Sequence, residues 1–296
     1  MENSFKYTVA GHTFEMCLPS FLSEEKILSP YLPFKEDKNI EPLFKLRVDF
    51  VESLRDIPVG EVQEVFNDEA PFFWLFDKDG KYSFGFSNFK SRPDCLLLAS
   101  DDYKDNIVYL PSGLKNVSAA ISFSLSNAMM LLYTFCTSPL DTLMVHASVI
   151  GYKGGAYIFL GKSGTGKSTH SSLWLENIKG SELINDDNPV IRIVDGEAIL
   201  YGTPWSGKTP CYRNVSAPLK AFVRIVQAPE NKIKALEPLQ AYASLLPSCS
   251  CMRWDSAACE AVHKTVEKVV ATVPAYTLDC LPNDEAALLS HKTIVK

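Results

Sequence analysis

Ala156-Tyr157-Ile158-Phe159-Leu160-Gly161-Lys162-Ser163-Gly164-Thr165-Gly166-Lys167-Ser168 is the stretch on which the reading of this chain turns. Its first five residues are an unbroken apolar run, as expected of a buried strand. The next eight match G-x-x-x-x-G-K-[ST], a pattern that random composition produces in roughly one in a hundred chains of this length. The residues that follow, Thr169 to Glu176, extend a helix expected over 166–176. Strand, glycine-rich turn and helix N-terminus are the context the pattern requires. Glycines let backbone N–H groups turn inward on phosphate oxygens, and the helix N-terminus adds positive potential. Gly161, Lys162, Ser163, Gly164, Thr165, Gly166, Lys167, Ser168 and Thr169 are therefore the expected triphosphate-binding set. Lys167 is expected to neutralise the terminal phosphates, and the Ser168 hydroxyl to join a Mg²⁺ shell.

Downstream, Glu182–Ile184 reads as a short strand that ends in Asn185-Asp186-Asp187. By the right-handed crossover rule this strand is expected beside the loop's own strand, with both carboxylates at the crevice. One carboxylate would hold Mg²⁺ and the other would take a proton from an attacking hydroxyl; a plain solvated turn is the alternative. Upstream, Thr142–Gly151 and Ala156–Leu160 read as a hairpin through Tyr152-Lys153-Gly154-Gly155. Counting back from that turn pairs position 146 with roughly 161 to 163, which brings His146 to the mouth of the loop. There an imidazole can orient a carboxylate or share its proton; the alternative is an ordinary structural histidine. A second loop, Tyr201 to Pro210 (YGTPWSGKTP), carries Lys208 and precedes Arg213. Both cations are candidates for the transferring phosphoryl group or an acidic substrate, and Trp205 either stacks on a ligand or caps the core.

The remainder bounds the setting. A chain of 296 residues, 46% hydrophobic with a net charge of -6, has ample material for about two globular domains and no global attraction for nucleic acid. Residues 1–112 read as short strands broken by turns, a β-rich accessory or recognition domain; residues 113–296 read as the nucleotide-binding domain. The run Val117 to Cys136 approaches bilayer-spanning length, but its Ser118, Ser122, Ser124, Ser126, Asn127 and Thr134 suit a helix buried in protein. With no basic segment and apolar run at the N-terminus, a cytoplasmic protein without a membrane partner is expected. Eight irregularly spaced cysteines form no C-x-x-C pair, and Cys249, Cys251, Cys259 and His263 have donor types that suit a metal without the usual spacing. Whether the chain self-associates is open.

His146, the hairpin, GKSGTGKS and the Asp186-Asp187 pair occur in that order within about forty residues, and this array resembles the catalytic domain of HPr kinase/phosphorylase. It is more distantly similar to the nucleotide core of ATP-dependent phosphoenolpyruvate carboxykinase. The resemblance covers about a quarter of the chain. It implies an α/β fold, a mixed-sheet P-loop kinase core; the β-rich α+β accessory domain expected before it comes from the strand pattern of residues 1–112 and has no part in the resemblance. It further implies an ATP- and Mg²⁺-dependent kinase acting on a hydroxyl, a serine of a protein or peptide before a small metabolite. His146 would assist, Asp187 or Asp186 would be the base with Asp187 preferred, and Ser168 with Asp186 would serve the metal. The family's Glu-containing, Arg-Gly-rich stretch is replaced here by YGTPWSGKTP, so the reverse, phosphorolytic reaction is not implied. A small-molecule kinase, a carboxykinase-like enzyme and a non-catalytic nucleotide sensor are the alternatives.

Overall fold

The computed structural model describes residues 2–66, 70–207 and 209–295. The chain forms two compact units, 1–136 and 137–296. In the first, β1 (Glu2–Val9), β2 (His12–Pro19), β3 (Lys45–Val51), β4 (Glu61–Phe66), β5 (Phe72–Lys78), β6 (Lys81–Ser87), β7 (Cys95–Leu98) and β8 (Asp105–Pro111) make one mixed sheet. Its order is β1-β2-β3-β8-β7-β6-β5-β4, parallel at β2–β3 and β3–β8 and antiparallel elsewhere. A short helix, α1 (Glu24–Ile27), follows β2, and a long one, α2 (Ser118–Thr137), closes the unit.

The apolar helix expected to open the second domain belongs to the first unit, so the division falls at Cys136/Thr137 and not at 112/113. The reason is packing. Ile121, Leu125, Ala128, Met129, Leu132 and Tyr133 recur at helical spacing and are fully buried. The Tyr133 hydroxyl donates to the Val9 carbonyl at 3.1 Å, and the Phe135 ring stacks on Tyr103 at 4.2 Å. The helix is long and apolar enough to cross a membrane. Over half of that apolar window is buried within the protein, and its Ser124, Asn127 and Thr134 side chains bond carbonyls four residues back.

The second unit contains β9 (Thr142–Met144), β10 (Ala147–Tyr152), β11 (Gly155–Leu160), β12 (Glu182–Asp187), β13 (Val190–Val194), β14 (Glu197–Tyr201), β15 (Ser216–Gln227), β16 (Lys232–Ala235) and β17 (Ala275–Cys280). Its helices are α3 (Lys167–Asn177), α4 (Pro238–Leu245), α5 (Ser256–Thr272) and α6 (Asp284–Ile294). β12, β10, β11, β15, β17 and β16 lie side by side, with β11, β15 and β17 parallel. The first three residues of the 12-residue β15, Ser216 to Pro218, pair instead with β14, which leads through β13 to β9. One strand therefore serves two sheets. Alternation along the strands fills two cores: Ile150, Tyr157, Phe159 and Val223 pack with Trp174 of α3 and Ala287 of α6, while Val149, Ile158, Leu160 and Phe222 pack with Val262 and Val266 of α5.

Two sequence expectations shift. The run 142–151 is not one strand but two, β9 and β10, broken at Val145-His146. β12 does not lie against β11, because β10 occupies that edge and β12 pairs antiparallel to β10. Since β10 runs opposite to both, β12 still points the same way as β11 and delivers its last residues to the same end of the sheet.

Candidate active site

The loop 161–166 leaves β11 and enters α3 through Gly166, whose φ of 102° is open to glycine but costly for a side chain. The first-turn N–H groups of α3 have no acceptor within the helix and carry its positive dipole end, so this turn favours an anion. The helix is clamped from two sides. Ser171 Oγ lies 2.6 Å from Ser148 Oγ of β10, and Trp174 Nε1 donates to Ser290 Oγ of α6 at 2.8 Å. His170 is also spent on Ser290, at 3.0 Å, and burial pushes its imidazole down to about 4, so it is neutral and structural.

Hairpin pairing sets Ala147 opposite Leu160, so the next step along brings His146 to Gly161. The break in the strand matters here. His146 donates its backbone N–H to the Ser248 carbonyl at 2.7 Å, outside either sheet, and its ring is free to turn toward the loop. Nε2 lies 2.9 Å from Lys167 Nζ and Nδ1 lies 2.9 Å from Asp187 Oδ1. With an ammonium donating to Nε2, the neutral ring carries its proton on Nδ1 and donates it to the carboxylate. Lys167 Nζ also donates to the carbonyls of Gly161, at 2.9 Å, and Lys162, at 3.3 Å. Burial pulls the Lys167 ammonium below the ordinary lysine range, opposed first by Asp187 and then by Asp186.

The two aspartates are not equivalent. Asp186 is in register with Ser148, and residues directly opposite share a sheet face, so it stands on the side that α3 covers. Ser168 lies one turn before Ser171 on that helix. Asp187 points the other way, toward His146, and its Oδ2 accepts from Asn188 Nδ2 at 2.9 Å. Both are hard oxygen donors. Among the described residues no group of three or more His, Cys, Asp or Glu side chains is close enough to cage an ion. Carboxylates and a serine hydroxyl are the donor types that suit Mg²⁺.

A buried network missed in the sequence holds the pair in place. Asn185 and Thr203 are fully buried. Asn185 Nδ2 donates to Thr203 Oγ1 at 3.1 Å and to the Trp205 carbonyl at 3.3 Å, while its Oδ1 accepts from the Asp187 N–H at 3.1 Å. Thr203 Oγ1 in turn donates to the Asn188 carbonyl at 2.8 Å. This folds the 202–207 segment onto β12, where Gly207 N–H donates to the Asp186 carbonyl at 2.9 Å. A Cβ at Gly207 would lie 2.9 Å from that same oxygen, so a side chain there would push the segment off.

Other candidates fall elsewhere. Arg213 is not brought to the loop: its guanidinium donates to the Leu183 carbonyl at 2.6 Å and pairs with Glu182 at 2.7 Å, near the opposite end of β12 from Asp187. Trp205 is 2% exposed and belongs to the core. Lys208 lies outside the described residues. The cysteine set is not gathered into a group of three or more metal-ligating side chains among the described residues: Cys251 and Cys259 touch each other, with Sγ atoms 2.9 Å apart, and His263 Nδ1 is bonded to the Tyr242 hydroxyl.

No family model matches the chain, and no curated protein matches it. Among solved structures it is similar to the Hpr(Ser) kinase/phosphatase from Coxiella burnetii, at 10% identity and a TM-score of 0.30, over 50% of this chain and 91% of that one. So slight a likeness carries no argument, and the functional reading rests on the side chains.

Proposed function

We propose that residues 137–296 form an ATP- and Mg²⁺-dependent kinase that transfers the γ-phosphoryl group to a hydroxyl, with a serine of a protein or peptide as the favoured acceptor. One observation carries this reading: Asp187, His146 and Lys167 are joined in a line of 2.9 Å contacts at the mouth of the 161–166 loop. On this reading Asp187 serves as proton acceptor and Lys167 as phosphate-neutralising cation, on either side of one imidazole. In this reading the loop N–H groups and Lys167 hold the triphosphate, exchanging the lysine's contacts to Gly161 and Lys162 carbonyls for phosphate oxygens. The acceptor oxygen attacks the γ-phosphorus as the bond to the β–γ bridging oxygen breaks, and Asp187 takes the hydroxyl proton. His146 holds the Asp187 carboxylate in place and keeps it from pairing directly with the Lys167 ammonium. Ser168 and Asp186 would hold Mg²⁺, which when bound neutralises charge on the phosphate oxygens. Positioning and charge neutralisation supply most of the rate.

The test is a screen of purified protein with γ-labelled ATP against polypeptides and hydroxyl-bearing metabolites. Label transferred to one acceptor class, and lost with Lys167→Ala, supports the reading. Transfer that persists at near wild-type rate in Lys167→Ala overturns the assignment of the site.

A further inference from the structure

The strand break at Val145-His146 is backed by a segment from farther along the chain. A short turn of helix, Leu246–Ser248, presents the Ser248 carbonyl to the His146 N–H at 2.7 Å. Cys249 then stands opposite Val145 in a single antiparallel bridge, and the Ser250 N–H donates to the Met144 carbonyl at 2.9 Å. Three successive residues thus take the place of a strand where β9 and β10 part. Cys251 comes next, and its Sγ lies 2.9 Å from Sγ of Cys259. Cys259 belongs to α5, whose Asp255 cap accepts from the Ala258 N–H at 2.9 Å and whose Val262 and Val266 lie in the core. One thiol is therefore at the end of the backing segment and the other on a helix rooted in the interior. Both residues are half-buried, whereas Cys249 is buried and its Sγ faces the Leu245 carbonyl at 3.5 Å.

We propose that Cys251 and Cys259 form a reversible disulfide site, closed by a small-molecule disulfide, that fastens the 248–250 backing of His146 to α5. The sulfurs need to close only from 2.9 Å to roughly 2.04 Å. The step is thiol–disulfide exchange. One cysteine sulfur attacks the external disulfide and releases half of it as a thiolate; the second cysteine attacks the resulting mixed disulfide, forms the Sγ–Sγ bond and releases the other half. The two cysteine protons end on the two released thiolates, so the protein pair loses two electrons and the external disulfide gains them. Burial, and after it the Cys259 sulfur alongside, pushes the Cys251 thiol up to about 12, so the first attack falls to Cys259. In a reducing compartment the pair stays a dithiol, and it closes when the thiol poise turns oxidising. The closed bond ties the backing segment to a core helix and so opposes its local opening away from β9 and β10. The site involves no phosphate ligand and stands apart from the kinase reading.

The full chain, equilibrated with glutathione disulfide and digested without reductant, is expected to yield one internal cross-link by mass spectrometry, Cys251–Cys259, which dithiothreitol reverses. Closure is expected to raise Tm by about 3–8 °C. It is also expected to slow amide hydrogen exchange at His146 and Ser250 by about ten-fold. Cys251→Ser should lose the cross-link and carry glutathione on Cys259, while Cys249→Ser should keep the cross-link. Cys251 and Cys259 that stay reduced at an oxidising glutathione poise overturn the site, and a cross-link to Cys249 overturns the pairing. A Cys251–Cys259 bond that leaves exchange at His146 and Ser250 unchanged overturns its role as a fastening. None of these readouts uses a nucleotide, so failure here is distinct from failure of the kinase reading.

Discussion

At the residue scale, His146 spends one ring nitrogen on a cation and the other on an anion. Removing the ring frees Asp187 to turn but leaves its carboxylate, whereas Asp187→Asn removes the proton acceptor itself. In a transfer assay Asp187→Asn is expected to lower kcat by about 10²- to 10⁴-fold, the range for general-base catalysis, with ATP affinity within a few-fold of wild type. His146→Gln is expected to cost less, about ten-fold, because only orientation is lost. Lys167 carries a pH signature. Its pKa is lowered by burial, so the ammonium loses its proton at lower pH than a surface lysine does. Tripolyphosphate affinity is therefore expected to be full at neutral pH and to weaken on the alkaline side before an ordinary lysine would titrate. Lys167→Arg, charged throughout, should flatten that limb of a Kd-versus-pH curve. A limb unchanged in the variant assigns the titration to another group. These residues were legible because a motif and a hairpin turn fix their spacing. Arg213 was not: a cation in a loop advertises charge, and only the fold reveals that its fork is already spent on Leu183 and Glu182.

At the scale of elements, the end of β12 and the 202–207 segment act as one part. The Asn185 amide is fully buried and satisfied on both atoms, so Asn185→Ala removes the acceptor of the Asp187 N–H and one of the donors to Thr203 Oγ1. Urea unfolding is expected to show a loss of about 1–3 kcal/mol, the cost of stranding buried polar groups, and kcat should fall along with it as the aspartates lose their support. A variant with wild-type stability and rate shows that the network does not position the aspartates. The sequence conceals this part, since Asn, Asp and Thr beside Pro and Gly read equally well as a solvated turn. Edge strands were hidden for a related reason. β4, Glu-Val-Gln-Glu-Val-Phe, is mostly exposed, and β16 has only four residues, so neither has the apolar content that marks a strand. The break at Val145-His146 is equally silent, because the residues on both sides are apolar and buried.

At the scale of the whole molecule, each unit carries its own apolar core, and α2 belongs to the first. A fragment of residues 137–296 is expected to fold and to bind tripolyphosphate with Kd within about three-fold of the full chain. A fragment of 113–296 carries α2 without the sheet it packs on and is expected to aggregate, since a long apolar stripe is left exposed. Gel filtration of both fragments checks this, and the opposite behaviour would restore the boundary at 112/113. Composition alone pointed to that earlier boundary, because Pro111-Ser112-Gly113 is the sharpest punctuation nearby while helix ownership is decided by distant partners such as Val9.

The double allegiance of β15 has a mechanical corollary. Ser216 to Gln227 is one strand whose register against β11 shifts between Leu219 and Ala221, so its Ser216–Pro218 end holds β14 while Ile225 and Gln227 at its far end edge the cleft beside the 161–166 loop. The same strand thus anchors the outer patch and edges the cleft, with the Lys220 irregularity lying between the two.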